Sequence, residues 1–269
     1  NLHRRLGEVR QMDDMDSGLG GEPFARVLGG DYAYTSNRSF QDYGFDADID
    51  MRAVQVGTDI LDLQSGRNSL RAGIAYTHGT TRIDPKVADG YSHAKIDSNS
   101  FAMTLTWQHA NGFYLDAIVS GDRHAGDVDT ARAKGTARLT GTGWSASLES
   151  GYPFVLGQGW ELEPQLQVIR QHIGLRDQVD SDGVTTRYRP FDQSIGRAGL
   201  RLDRTWRTDD GSAFTPYARL NYIRGWGGAP QVVVGAQGYD LAEGFTGGTF
   251  GRMWELGLGG TWQWRDRLS

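Results

Sequence analysis

One stretch decides the fold class: Phe101-Ala102-Met103-Thr104-Leu105-Thr106-Trp107-Gln108, in which bulky apolar side chains alternate with small or polar ones. Successive side chains of a β-strand point to opposite faces, so this stretch predicts a strand with one apolar face. Similar segments recur near 23–35, 51–63, 69–80, 97–109, 113–121, 139–153, 160–172, 193–205, 213–224 and 250–264. The sequence therefore predicts an all-β fold with ten strands.

The connections between these segments alternate between short and long. The short ones are rich in Gly, Asn and Asp, which suit tight hairpin turns, and they lie at 64–68, 110–112, 155–159 and 207–211. The long ones are polar and lie at 36–50, 81–96, 122–138, 173–192 and 225–249. This rhythm predicts an antiparallel up-and-down β-barrel with two unlike ends, which is typical of transmembrane barrels in the bacterial outer membrane.

Composition narrows the function classes. No apolar run approaches the roughly 18 residues of a spanning helix, but a barrel strand offers lipid only every second residue. The chain has no cysteine, which excludes structural disulfides, thiolate metal sites and cysteine nucleophiles. The net charge of −5 argues against a nucleic-acid partner. No residue pattern indicates a metal site or a cofactor.

The alternation alone leaves the partner of the apolar face open. In a soluble sandwich, propeller or lectin-like fold this face would be the core, whereas in a membrane barrel it would meet lipid. Tryptophans near segment ends favour the membrane, because indole rings collect at headgroup level; they are Trp107, Trp144, Trp160, Trp206, Trp226, Trp262 and Trp264. Segment lengths near the roughly 9–11 residues of a tilted spanning strand agree, and no blade-length repeat supports a propeller.

The first segment differs from the rest. Residues 1–14 have Leu2, Leu6 and Val9 at helical spacing, and glycines follow at 18, 20 and 21. Basic residues occupy the other helix faces, among them Arg4, Arg5 and Arg10. We therefore predict a helix and linker over 1–21 and a barrel over 22–269.

An ordered series of short motifs carries a family resemblance. It begins with Asn1-Leu2-His3-Arg4-Arg5-Leu6-Gly7-Glu8-Val9-Arg10 and continues with segments at 113–117, 145–151, 159–165, 196–201 and 216–218. Together these motifs extend over nearly the whole chain. It resembles the translocator β-domain of autotransporters, the type V secretion family, and within that family the pertactin and serum-resistance group.

The resemblance implies a twelve-stranded barrel in the bacterial outer membrane with an N-terminal α-helix inside the pore. It implies export of the protein's own N-terminal passenger, often a virulence factor, and a barrel-assembly machinery, periplasmic chaperones and outer-membrane lipid as partners of a monomer. Family members end in an aromatic strand, whereas residues 265–269 follow the tenth strand without one. The resemblance therefore implies two further strands.

The resemblance also implies passenger cleavage near Asn1, in which an asparagine side-chain amide attacks its own carbonyl carbon. Asp116, Glu149 and Glu163 match the inward positions whose carboxylates would assist this step by moving a proton. Alternatively, these carboxylates pair with arginines of the lumen or with Arg4, Arg5 and Arg10 of the helix. At most, the chain would catalyse one intramolecular turnover.

The 225–249 connection contains an apolar run that is unusual for a water-facing loop. We predict that Val232, Val233 and Val234 belong to a hairpin that folds back over the barrel mouth and meets the passenger; packing against a neighbouring loop is the alternative.

Two other functions of an outer-membrane barrel are alternatives to passenger export. An outer-membrane protease or lipase would need grouped catalytic residues, but the histidines are scattered, and a passive porin would not need a plugging helix.

Overall fold

The computed structural model describes residues 18–19, 23–35, 46–86, 92–131, 133–208, 211–240 and 242–263. The predicted helix at 1–14, with Asn1 and its three arginines, lies outside these residues, as does the terminal segment 265–269. Within the described residues, no helix has the length and apolar character needed to cross a membrane.

The described chain contains ten long strands, numbered here in chain order. They are β1 (Pro23–Tyr34), β2 (Ala47–Ser65), β3 (Asn68–Pro85), β4 (His93–His109), β5 (Tyr114–Asp129), β6 (Ala137–Gly151), β7 (Trp160–Leu175), β8 (Phe191–Arg204), β9 (Ala213–Gly227) and β10 (Arg252–Gln263). Each of them overlaps one of the predicted segments, so the predicted strand order is confirmed.

Every long strand pairs antiparallel with the next one along the chain, which makes a single up-and-down sheet. Three short strands extend it: Gly18–Leu19 pairs with β2, Phe154–Gly157 with β7 and Trp206–Arg207 with β9. The sheet curls, as a contact between its two ends shows: the Tyr34 hydroxyl at the end of β1 occupies the space where a side chain on Gly248, just before β10, would stand. The two outer edges thus approach each other at the long-loop end.

Seven of the ten strands are longer than predicted. The long strands run from 12 to 19 residues; β1, β6 and β10 are no longer than their predicted segments, and the other seven extend mainly at their long-loop ends. On β5 the prediction ended at 121, but pairing continues through the polar run Asp122-Arg123-His124 to Asp129. Backbone hydrogen bonds between strands do not require an apolar face. The strands therefore continue beyond the segments in which apolar and polar residues alternate.

Two of the long connections build a second, smaller sheet. Its strands are Gln178–Val179, Val184–Tyr188, Gln231–Ala236 and Ala242–Thr246, paired in that order. The predicted hairpin in the 225–249 connection is therefore present. Val232 lies opposite Phe245 within that hairpin and opposite Tyr188 of the neighbouring loop, so packing against that loop also occurs.

The two faces of the main sheet have opposite exposure. The apolar residues of β4 and β8 point outward and are exposed, whereas the residues between them, small or polar on β4 and mostly charged on β8, are buried; Leu200 is 48% exposed and Arg201 only 2%. A soluble protein buries its apolar face, and this sheet encloses its charged one. The structure thus assigns the apolar face to the outside, which the alternation alone could not decide.

Candidate functional site in the barrel lumen

The inner face of the sheet holds a cluster of buried ionisable side chains. Tyr114 on β5, Glu149 on β6, Glu163 on β7 and Arg197 on β8 all point into the lumen and are almost fully buried. Pairing of β5 with β6 places Asp116 directly opposite Glu149. The structure therefore brings together the three carboxylates that the sequence singled out.

Tyr114 connects three strands through one hydroxyl group. Its oxygen lies 2.9 Å from Glu149 Oε1 and 3.3 Å from Glu163 Oε1, so the hydroxyl can donate to either carboxylate. To reach β7 from β5, the ring must cross β6, and it crosses at Gly151. A Cβ there would lie 2.7 Å from the ring, so only glycine leaves this path open.

Arg197 occupies the centre of the cluster. Its Nη2 lies 3.0 Å from Glu149 Oε2, its Nε donates to Gln167 Oε1 at 2.9 Å, and its Nη1 donates to Gln165 and Asn221. Gln165 in turn donates to Glu163 at 2.6 Å. A buried charge is stable only when it is paired and hydrogen-bonded, and the guanidinium satisfies both conditions.

Further pairs extend this polar layer around the lumen. Arg71 of β3 binds Asp62 of β2 at 3.0 Å, and the Thr106 hydroxyl of β4 donates to Asp116 of β5 at 2.6 Å. On the other side, Arg201 pairs with Asp203, and Arg219 of β9 pairs with Glu255 of β10. Inward-facing polar contacts thus run from β2 to β10.

This geometry bears on both interpretations of the inward carboxylates. Glu149 pairs with Arg197, as predicted for a lumen arginine. Asp116 accepts a hydrogen bond from the Thr106 hydroxyl, and Glu163 accepts from Tyr114 and Gln165. The sequence did not identify Tyr114, Gln165, Asn221 and Gly151 as part of the cluster. The sequence indicates only that such residues occupy inward-facing positions of their strands; which of them meet depends on the register of four strands.

The described residues contain no group of three or more acids and histidines that could hold a metal ion.

The outer face carries two aromatic levels separated by apolar side chains. On β10, Trp254 and Trp262 are exposed and lie eight residues apart, with exposed Leu256 and Leu258 between them. Eight residues span about 27 Å along a strand, or about 21 Å along the axis of a barrel whose strands tilt by about 40°. The apolar band of an outer-membrane barrel is about 25 Å tall.

Ring contacts mark the level at the short turns. Trp107 packs against Phe113 with ring centroids 5.8 Å apart, and Phe214 packs against Trp262 at 5.5 Å. Aromatic rings at two levels flanking an apolar band are the signature of an interfacial girdle. The curled sheet, the enclosed charges and this band define the chain as an outer-membrane β-barrel protein.

The family follows from sequence comparison. Residues 23–269 match the family model described as Autotransporter beta-domain. The chain therefore belongs to the autotransporter beta-domain family, as its motifs predicted, and it is an outer-membrane translocator domain.

Several autotransporters are similar to this chain. Pertactin of Bordetella bronchiseptica is 29% identical over 86% of this chain and 24% of its own length, and BrkA of Bordetella pertussis is 28% identical over 96% and 24%. The adhesin BmaC of Brucella suis is 26% identical over 95% of this chain and 8% of its own length. The chain thus spans a quarter or less of these relatives.

Two solved structures share the fold. The beta domain of the Bordetella autotransporter BrkA superposes with a TM-score of 0.65 at 21% identity, over 92% of this chain and 100% of that one. The transport unit of AIDA-I from Escherichia coli superposes with a TM-score of 0.66 at 15% identity, over 95% and 92%. These likenesses support the curled antiparallel architecture.

Proposed function

We propose that this barrel exports a passenger segment of its own polypeptide to the cell surface and acts once per molecule. The match to the translocator family over residues 23–269 carries the proposal, and the enclosed polar lumen supports it, because polar side chains can form hydrogen bonds with the backbone of a passing unfolded chain. As a monomer, the barrel would reach the membrane with periplasmic chaperones and the barrel-assembly machinery.

Surface display tests this function. In the full-length precursor, deletion of residues 23–269 should leave the passenger inside intact cells, where added protease cannot reach it, while the undeleted precursor exposes it. A passenger that stays accessible without the barrel would contradict the proposal. A periplasmic marker enzyme that resists the protease shows that the cells are intact.

We further propose that the barrel closes with twelve strands around the helix predicted at 1–14. Arg4, Arg5 and Arg10 would then lie against the lumen carboxylates, of which Asp116, Glu149 and Glu163 are buried in the wall. Conductance across planar bilayers tests the plug. Removal of residues 1–14 should raise the single-channel conductance, and an unchanged conductance would contradict a helix inside the pore.

We propose passenger cleavage at Asn1 as the chemical step. The Asn1 side-chain nitrogen would attack the Asn1 carbonyl carbon, forming a succinimide as the Asn1–Leu2 bond breaks. One proton leaves the side-chain nitrogen and another proton is delivered to the departing Leu2 nitrogen. Glu149 is engaged by Arg197 at 3.0 Å, so we assign the proton transfer to Asp116, with Glu149 and Glu163 stabilising developing positive charge.

Replacement of Asp116 by Asn in the precursor tests this assignment. We expect passenger release, followed on gels, to slow at least tenfold, in line with the loss of a general acid–base group. Asp203→Asn is the matched control, because Asp203 is an equally buried lumen acid paired with Arg201. Unchanged release in the Asp116 variant, or equal slowing in both, would remove the assignment.

The small external sheet is the proposed contact for the emerging passenger. Val232 lines an apolar cavity of about 310 Å³ together with Ile173, Leu175, Tyr188, Phe191 and Pro230. Val233 and Val234 lie in the same strand, which pairs with Ala242–Thr246. An apolar surface at the long-loop end suits a partially folded chain.

Deletion of residues 230–240 tests this contact. Passenger display should fall while the barrel itself stays folded, as judged by its heat-dependent migration on gels. A deletion within the shorter connection at 131–135 serves as the control. Normal display after the first deletion would refute the role of the valines.

A further inference from the structure

The inward face of the main sheet becomes apolar near the long-loop end, although the same face is charged nearer the short turns. Six side chains, one from each of β2 to β7, form what we call the apolar mouth: Ile49, Ile83, Ile96, Val128, Leu139 and Ile173. They point inward because each lies an even number of residues from a buried lumen residue of the same strand, as Leu139 does from Glu149 on β6.

The outward face changes in the opposite direction at the same end of the strands. There it carries charged side chains in place of the apolar band. Lys86 binds Asp48 at 2.9 Å. His93 binds Asp129 at 3.1 Å. Charged side chains on a lipid-facing surface are destabilising, and long loops mark the outer end of such barrels, so this part of the wall projects into the external water.

The small external sheet covers one side of the apolar mouth. Ile173, Leu175 and Phe191 point inward from β7 and β8 and line the cavity of about 310 Å³ that Tyr188 and Val232 of that sheet also line. The mouth residues of β2 to β6 do not line this cavity and are half-buried. The apolar surface thus continues beyond the part on which the small sheet packs.

The length of the N-terminal segment indicates which part of the precursor reaches the mouth. Gly18 pairs with Asp62 near the short-turn end of β2. From Asp62 to Ile49 the strand rises about 33 Å along the axis of a barrel whose strands tilt by about 40°. The helix predicted at 1–14 spans about 21 Å, and residues 15–17 add at most about 10 Å. Asn1 would therefore lie just below the mouth.

We propose that the apolar mouth binds an apolar segment of the precursor, namely the residues that directly precede Asn1. Removal of apolar surface from water supplies the affinity, and six strands offer that surface on several sides of the segment. The inference rests on the proposed export function, because the passenger must pass through the lumen for these residues to reach the mouth.

Photocrosslinking in intact cells that make the full-length precursor tests the proposal. A photoreactive phenylalanine analogue is incorporated at position 139, or at position 96 in a second variant, and the cells are irradiated during synthesis, before the passenger is released. Mass spectrometry identifies the crosslinked peptides. The matched controls carry the analogue at the outward neighbours Arg138 and Lys95, on the same strands and at the same height.

We expect crosslinks from positions 96 and 139 to the residues just before Asn1, and loss of these crosslinks at positions 95 and 138. Ile49→Asn with Ile83→Asn should lower the crosslink yield from position 96 about tenfold, because the burial of even one isoleucine changes a binding constant by about that factor. Asp50→Asn with Arg82→Gln, the neighbouring outward pair of opposed residues, is the control and should leave the yield unchanged.

Three results would overturn the proposal. They are crosslinks to the small external sheet alone, crosslinks spread evenly along the passenger, and equal crosslinking from the inward and outward positions. Protease accessibility of the passenger in the same cells separates this inference from export. Normal display without the expected crosslinks would overturn the inference alone, whereas absent display of the unaltered precursor would overturn export and the inference with it.

Discussion

The inner and outer faces of the same strands solve different physical problems. The outer face exposes Leu200, Leu256 and Leu258, while the inner face buries Arg197 and Glu149 among hydrogen-bonding partners. Lipid stabilises the outer face without demanding any particular neighbour, because apolar burial is non-directional. The inner face depends on specific partners, because a buried charge that loses its partner is costly. Single substitutions should therefore act differently on the two faces.

The largest effect is expected from breaking the central lumen pair. Arg197→Met leaves the buried Glu149 without its 3.0 Å partner, so the free energy of unfolding should fall by about 3–5 kcal/mol. Urea unfolding in lipid vesicles, followed by tryptophan fluorescence, measures it.

The double variant with Glu149→Gln is the control for that experiment. It removes the unpaired charge and should recover part of the loss. A loss below about 1 kcal/mol in Arg197→Met would mean that water solvates the lumen as an exposed surface, where ion pairs contribute about that much. The proposed difference between the faces would then not hold.

A charge placed on the outer face should cost somewhat less and depend on depth. Leu258 lies midway between Trp254 and Trp262, and its replacement by Arg should lower the free energy of unfolding by about 2–4 kcal/mol. Val155 is the matched site, since it is 74% exposed against 79% for Leu258 but lies beside a short turn. Val155→Arg should cost about 0–1 kcal/mol. Equal costs at both positions in vesicles would contradict the membrane band.

Steric fit within the lumen gives a smaller effect. Gly151→Ala places a Cβ 2.7 Å from the Tyr114 ring, and overpacking of this kind costs about 1–3 kcal/mol. The same substitution should cost less in a Tyr114→Ala background, because the contact is gone. Additive effects in this double-mutant cycle would show that the ring does not depend on Gly151.

The smallest effect is expected at the rim, where an ion pair lies in water. Lys86 binds Asp48 at 2.9 Å with both side chains exposed, and this contact raises the pKa of Lys86. A raised pKa in the folded state adds stability below the ordinary lysine pKa, and that stability is lost as the pH rises through the raised value. Lys86→Met should therefore differ little from the unaltered protein at pH 7, and the difference should vanish once the pH exceeds the raised pKa of Lys86. A large difference in stability at pH 7 would mean that this ion pair is shielded from water.

The sequence predicted what depends on local pattern. The ten strands, their order and both faces could be derived from alternation, as at Phe101 to Gln108, because side-chain direction in a strand follows from residue number alone. The strand ends were missed on β5 since Asp122-Arg123-His124 carries no alternation, although its backbone stays paired.

The lumen contacts could be predicted only in part. Asp116, Glu149 and Glu163 were placed on the inner face, and the pairing of Asp116 with Glu149 then followed from strand register. The path of Tyr114 across Gly151 to β7 could not be derived, because it depends on side-chain geometry across three strands.

The most direct test of the inverted faces is a spin-label scan along β4. The chain has no cysteine, so single cysteines at positions 101 to 106 can be labelled in the protein inserted in lipid vesicles. Collision rates with oxygen, which concentrates in lipid, should peak at 101, 103 and 105 and fall at 102, 104 and 106, whose side chains are buried in the sheet's interior. A water-soluble nickel complex reports exposure to water. If its collision rates peaked at positions 101, 103 and 105 while the oxygen collision rates there were low, the apolar surface would not face lipid.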